Sequence, residues 1–271
     1  MLVFEGQDEF ENGYLPSYDL TEQEENILYM DPSLWIESTS GVNVSGTNVT
    51  SIDDRSGNTS WLPLNPSVFP RVINSEKGIP VLNFGLGRGP SAPGAVLAAG
   101  EYEAIPQHGV FMLAMVYRIP LRLQGGYQGT GGNILGNNDT SPNLMALRFR
   151  DDAYTGTALW MNHGTNSPVT DNNYPLNTTF VDDGIWHTAY IEITPEHHLI
   201  EIDGVLRQKK AVPAIPFNTP ASRQLIIGGA GSPFRNGFFG DLAMMLIVPG
   251  LASLDERAII YDRLNAVKAK L

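Results

Sequence analysis

Glu201 and Asp203 stand two residues apart in Ile200-Glu201-Ile202-Asp203-Gly204. On an extended strand, residues two apart share a face. Two carboxylates held about 5–5.5 Å apart can cleave a glycosidic bond, one as nucleophile and the other as acid. The glycine after Asp203 argues for another use, because Asp-Gly is a hairpin turn signal. The five histidines add no catalytic set. His187 falls on the apolar side of an alternating stretch and reads as a satisfied core histidine. His197 and His198 are adjacent, so an extended chain points them apart and they cannot share one metal. His108 and His163 read as isolated in loops. No Ser-His-Asp arrangement can be assembled, and the chain reads as non-catalytic.

Binding chemistry has better candidates. Calcium needs oxygen ligands. Asn137-Asn138-Asp139, Asp151-Asp152 and Asp171-Asn172-Asn173 offer them, without EF-hand spacing. Such residues also build turns through their own side chains, and that reading is preferred. Asp139, Asp151 and Asp152 are the calcium candidates that remain. Sugar recognition asks for an aromatic platform with amide and carboxylate groups around it. Trp160, Asn162 and His163, with Tyr154, Tyr174 and the Asp171-Asn172-Asn173 loop, supply that set. The competing reading makes Trp160 a core residue. The glycine strings at Gly85-x-Gly87-x-Gly89 and from Gly125 to Gly132 lack the Lys-Ser/Thr of a phosphate loop and read as plain loops.

Composition narrows the classes. The chain has 271 residues, 42% of them hydrophobic, enough for one large core. Its 28 glycines and 19 prolines predict many turns between short strands. There is no cysteine, so disulfides and thiolate metal sites are excluded. A net charge of −12 disfavours nucleic acid and anionic membranes as partners. No secretory signal and no membrane-spanning run is expected. The Asn-x-Ser/Thr sequons at Asn43, Asn48, Asn58, Asn138 and Asn177 therefore read as by-products of Asn-rich loops.

The elements that must position these residues follow from patterning. Residues 1–30 contain no Lys or Arg and carry Glu5, Asp8, Glu9, Glu11, Asp19, Glu22, Glu24 and Glu25. They read as an acidic N-terminal arm. It is either a solvated tail or a segment that orders against a neighbouring subunit through Phe4, Phe10, Tyr14, Tyr18 and Tyr29. One domain is expected over residues 31–271. Strands are expected at 34–37 and 81–84, with polar β-type residues from Val42 to Ile52 and a turn from Asp53 to Asn58. The stretches 109–118 and 238–248 are apolar without alternation, so each predicts a strand covered on both faces. Strands at 144–150 and 157–161 are expected to join through a turn at Asp151-Asp152. Ile185, His187, Ala189, Ile191 and Ile193 share one face of an alternating strand. Ser253-x-x-Glu256 is a capping box. The helix after it places Ile260, Leu264, Val267 and Leu271 on one stripe, predicted to cover an otherwise bare region of sheet.

These motifs, in this order, resemble the concanavalin A-like lectin/glucanase superfamily in its laminin-G-like branch. The residues that carry the resemblance are Asp183-Gly184-Ile185-Trp186-His187, Ile202-Asp203-Gly204, Gly228-Gly229, Gly240-Asp241-Leu242 and Ser253-Leu254-Asp255-Glu256-Arg257. The opening Leu34-Trp35-Ile36-Glu37, with Val49, Ile52, Asp54 and Ser56-Gly57-Asn58, looks like that of microbial and bacteriophage members. The resemblance covers roughly residues 31–271 and implies an all-β jelly-roll sandwich of two antiparallel sheets, with calcium as a frequent rim ligand. It also implies a range of functions, since the fold hosts lectins, glycosidases, adhesion modules and virion proteins. The expectation is a non-catalytic bacteriophage virion component, a head-decoration or appendage protein. Its partners would be other virion proteins or copies of itself through the arm, and its possible ligands host-surface glycans. The alternative is a carbohydrate-binding module or glycoside-active enzyme of the same fold.

Overall fold

The computed structural model describes residues 21–64, 68–85, 95–101, 110–119, 133–137, 145–152, 156–163, 173–175, 183–194, 197–211, 224–229 and 237–271. Within them the chain runs α1 (Glu22–Leu28), β1 (Leu34–Glu37), β2 (Val42–Ser45), β3 (Asn48–Asp53), β4 (Ser60–Pro63), β5 (Arg71–Asn74) and β6 (Pro80–Asn83). It continues through β7 (Leu97–Glu101), β8 (Phe111–Arg118), β9 (Asn133–Asn137), β10 (Met145–Asp152), β11 (Gly156–His163) and β12 (Asn173–Pro175). It closes with β13 (Trp186–Ile193), β14 (His197–Ile202), β15 (Val205–Ala211), β16 (Gln224–Ile227), β17 (Asp241–Pro249) and α2 (Leu254–Lys270).

The strands form an all-β sandwich of two antiparallel layers. The first layer runs β15-β14-β13-β8-β17, and β17 then pairs with β1 and β6. From β6 it extends through β5 and β3 to β2. The second layer runs β12-β11-β10-β9-β16-β7-β4. β4 also pairs with β3 and so stitches one layer to the other.

The unalternating strands explain this layering. Leu113, Met115 and Tyr117 of β8 enter the core between the layers, with Ile191, Met245, Leu135, Leu147 and Ile227. Met112, Ala114 and Val116 of the same strand join a second cluster with Trp35, Tyr190, Met244 and Leu246. That cluster is closed by Ile27 of α1, by Ile260 and Leu264 of α2, and by the C-cap residue Leu271. Each Leu, Ile, Val or Met side chain among them contributes about 1.5–3 kcal/mol on burial. The C-terminal helix therefore covers the sheet as its stripe predicts, with Val267 partly buried beside it. Ser253 accepts from the Glu256 N–H at 3.3 Å, and the Glu256 carboxylate accepts from the Ser253 N–H at 2.7 Å. Lys268 and Lys270 occupy the last turn, where they favour the helix dipole.

Several expectations change. The described end of the acidic segment forms α1 and packs on α2 of its own chain. The β-type stretch 42–52 forms a hairpin, in which Gly46 takes a left-handed conformation at φ +62° and turns β2 into β3. Asp151 and Asp152 are not a turn; they continue β10 and pair with Thr157 and Gly156. His163 ends β11 and pairs with Met145, so it lies in a strand. β13 begins at Trp186, leaving Ile185 exposed. Residues 1–20 lie outside the described residues. No described helix is long and apolar enough to cross a membrane.

The Gly228-Gly229 turn is required by close packing. Gly228 has φ +86°, and a Cβ there would strike the Phe84 ring and lie 2.6 Å from the Ala95 carbonyl oxygen. Gly228→Ala is expected to cost about 2–4 kcal/mol, through overpacking and backbone strain together. Urea denaturation checks this as a lowered midpoint at unchanged slope. A midpoint equal to that of the parent would contradict the packing of this turn.

Candidate functional site

Charged groups reinforce the outer side of the first layer. Glu37, at the end of β1, and Asp54, in the turn after β3, are both buried. Buried carboxylates need partners. Glu37 accepts from Trp35 Nε1 at 3.0 Å and from Arg263 at 2.8 Å (Nε) and 2.5 Å (Nη2). Arg55 Nη1 stands 3.1 Å from the same carboxylate. Both arginines also reach Glu24 of α1, at 3.0 Å from Arg55 and 2.8 Å from Arg263. The Arg55 guanidinium lies 4.1 Å over the Trp35 ring, a cation–π contact. Two carboxylates and two guanidiniums thus tie together α1, β1, the turn after β3, and α2.

Asp54 organises the front motif. It accepts from the Trp35 N–H at 2.8 Å, the Ser56 N–H at 2.9 Å and Trp61 Nε1 at 3.1 Å. Burial pushes its carboxyl up from the ordinary range, against the pull of these bonds. Gly57 completes the turn at φ +78°. The Leu-Trp-Ile-Glu and Asp-x-Ser-Gly-Asn strings are therefore two halves of one structural joint.

Glu201 and Asp203 serve the same helix. Glu201 accepts from Arg257 and Tyr261 of α2. Asp203 accepts from Lys268 Nζ of α2 at 2.6 Å and from the Thr188 N–H at 3.1 Å, and lies 2.7 Å from His187 Nδ1. Asp203 takes φ +53° and Gly204 φ +72°, the backbone of the expected hairpin turn. His187 is buried and held by carboxylates at both ring nitrogens, as a satisfied histidine should be. His197 is tied to Thr194, whose hydroxyl accepts from the His197 N–H at 2.8 Å, and His198 is buried.

The sugar-binding candidates gather in the second layer. Trp160, Asn162 and His163 lie on β11 and Tyr174 on β12, which pair directly: Trp160 opposite Pro175, Met161 opposite Tyr174, Asn162 opposite Asn173. Across β10, Trp160 is opposite Arg148 and Asn162 opposite Ala146. Leu147 between them belongs to the core between the layers. The register thus places Trp160, Asn162, Asn173 and Arg148 on the parity opposite Leu147. Met161, His163 and Tyr174 fall on the parity of Leu147. Asp171, Asn172 and Tyr154 lie outside the described residues, as does Asp139. Asp151 and Asp152 occupy consecutive, opposite-parity positions of β10. Among the described residues no group of three or more His, Asp or Glu could hold a metal ion. The pairing of the 144–150 and 157–161 strands was legible, and its register sets Arg148 opposite Trp160; the β12 partner was not legible.

No family model and no curated protein matches the chain. Solved structures do match it. One is domain 4 of an extracellular GH43 arabinanase from Geobacillus stearothermophilus in complex with arabinotriose, with TM-score 0.57 and 11% identity over 85% of this chain and 97% of that one. The binding domain of Paraclostridial Mosquitocidal Protein 1 gives TM-score 0.56 and 12% identity over 88% of this chain and 53% of that one. The binding domain of Botulinum neurotoxin DC, solved with rat synaptotagmin II, gives TM-score 0.53 and 13% identity over 89% and 52%. The chain spans about half the length of these two toxin chains. At such identities the likeness establishes a lectin-like β-sandwich fold.

The Glu24 joint has a pH signature. Burial opposes ionisation of Glu24, but the Thr21 N–H, Arg55 and Arg263 outweigh it and bring its pKa from 4.5 down to about 2. A depressed carboxyl contributes stability above its unfolded value and loses it as pH falls through the folded one. Amide exchange in α1 is expected to accelerate between about pH 4.5 and 2, and Glu24→Gln should abolish that step. An exchange rate in α1 that follows only the intrinsic pH dependence would contradict the joint.

Proposed function

We propose that this chain is a non-catalytic binding module. It holds a carbohydrate on the outer parity of β10, β11 and β12 and uses its acidic N-terminal segment to join a larger assembly. The observation that carries this reading is the division of labour between the layers. On the first layer, Glu37, Asp54, Glu201 and Asp203 are spent on attaching helices and turns. On the second, adjoining register positions hold an indole, two amides and a guanidinium: Trp160, Asn162, Asn173 and Arg148. An aromatic platform with a few polar groups is the usual makeup of a sugar site. The structural neighbours add support, since one is a domain bound to arabinotriose and another an arabinofuranosidase bound to arabinofuranosyl-α-1,2-xylobiose. These arabinose-containing oligosaccharides are the first ligands to try.

In its finer form the reading places the chain on a bacteriophage virion, as a decoration or appendage protein that contacts host-surface glycans. Its supports are the front motif around Asp54 and the acidic, aromatic segment over residues 1–30. A glycoside-active enzyme is the second reading, supported by the GH43 and GH54 proteins among the neighbours. Against it stands the use of Glu201 and Asp203 to anchor α2.

A glycan array followed by titration calorimetry tests the proposal. Wild type is expected to bind at least one oligosaccharide without cleaving it, and Trp160→Ala to weaken that binding by about tenfold or more. Binding unchanged in Trp160→Ala would move the site elsewhere. Release of reducing ends from a bound glycan would favour the enzymatic reading.

A further inference from the structure

At one end of the first layer a single imidazole lies between two carboxylates. His187 Nδ1 is 2.7 Å from Asp203 Oδ2, and Nε2 is 3.0 Å from Asp183 Oδ1. A neutral imidazole carries one N–H; only the imidazolium donates from both nitrogens. The geometry is that of a cation shared by two anions.

The groups around it come from every neighbouring element. Asp183 belongs to the segment before β13, and Asp203 to the β14–β15 turn. Lys268 of α2 donates to Asp203 Oδ1 at 2.6 Å. From β8, the Tyr117 ring lies 5.9 Å from the imidazole, centroid to centroid. The two carboxylates are not equivalent. Asp203 keeps Lys268 and the Thr188 N–H whatever the histidine does. Asp183 has the more exposed side chain, and its other bond is from the nearby Ile185 N–H at 3.0 Å.

We propose that His187 is a proton-operated clasp: its imidazolium ties Asp183–Ile185 to the β14–β15 turn, and loss of the Nε2 proton to solvent releases Asp183 while Nδ1–H stays on Asp203. Once that proton leaves, the Nε2 lone pair faces a carboxylate, and attraction becomes repulsion. Asp183 precedes the exposed Ile185 and Trp186, while the Gly184 N–H stays on the Ile119 carbonyl at 3.1 Å. Burial lowers the histidine's proton affinity, but Asp203 and Asp183 outweigh it and hold the pKa above the ordinary 6.5. A raised pKa contributes stability that is complete below the unfolded value and lost as pH rises through the folded one. The clasp is therefore closed below the ordinary histidine range and opens as pH rises through a midpoint above it.

Nitrogen-detected NMR of the full chain, titrated upward from about pH 6, tests this. The expected result is an imidazolium at the start of the titration that converts to the Nδ1–H tautomer at a midpoint above the ordinary 6.5. The Ile185 amide should lose protection at the same midpoint, by at least about tenfold beyond the intrinsic rate. Asp183→Asn is expected to lower that midpoint and keep the same tautomer. A neutral His187 at about pH 6, an Nε2–H tautomer on the alkaline side, or Ile185 exchange without an inflection would each overturn the proposal.

Discussion

The structure depends on one constraint: β8 and β17 are apolar on both faces. A strand of that kind cannot stand at a surface, so each side of the first layer needs its own cover. The second layer covers one side, around Leu113, Met115, Tyr117, Met245 and Ile247. α2, assisted by α1, covers the other, around Met112, Ala114, Val116, Met244 and Leu246. The terminal helix is thus a third layer of the core rather than an appendage. Much else follows from having to hold that helix down.

Charge does the holding where apolar contact ends. Along α2, Arg257 and Tyr261 meet Glu201, Arg263 meets Glu37, and Lys268 meets Asp203. These contacts reach strands on both sides of the helix, from β14 to β1. Removing one member of a buried pair leaves the other without compensation, at about 3–5 kcal/mol. Glu201 and Asp203, two apart in sequence, both hold α2 in this way. On the second layer, polar and aromatic residues hold neighbouring register positions across β10, β11 and β12.

Much of the fold was legible because its signals are local. The capping box at Ser253 and the stripe from Ile260 to Leu271 describe α2 without reference to anything else. The unalternating runs foretold a doubly covered sheet. α1 carried the same capping spelling at Thr21-Glu22-Gln23-Glu24, but the acidic segment read either as a solvated tail or as an arm for a neighbouring subunit, not as a helix on its own chain. Its counter-charges, Arg55 and Arg263, lie far along the chain, and no local pattern announces them. Asp54 was visible as part of a motif, yet its role as acceptor for Trp35 and Trp61 needs the folded chain. The sugar-binding candidates were grouped by nearness in sequence; strand register regroups them by parity, with Arg148 joining Trp160 and Asn162 and with His163 and Tyr174 on the other side.

The claim that α2 is an integral layer is tested most directly by native-state hydrogen exchange across the whole chain. The account predicts that the amides around Ile260 and Leu264 exchange with the same opening free energy as those of β8 and β17, in one cooperative unit. Exchange of α2 through a much cheaper local opening, with β8 and β17 still protected, would contradict it.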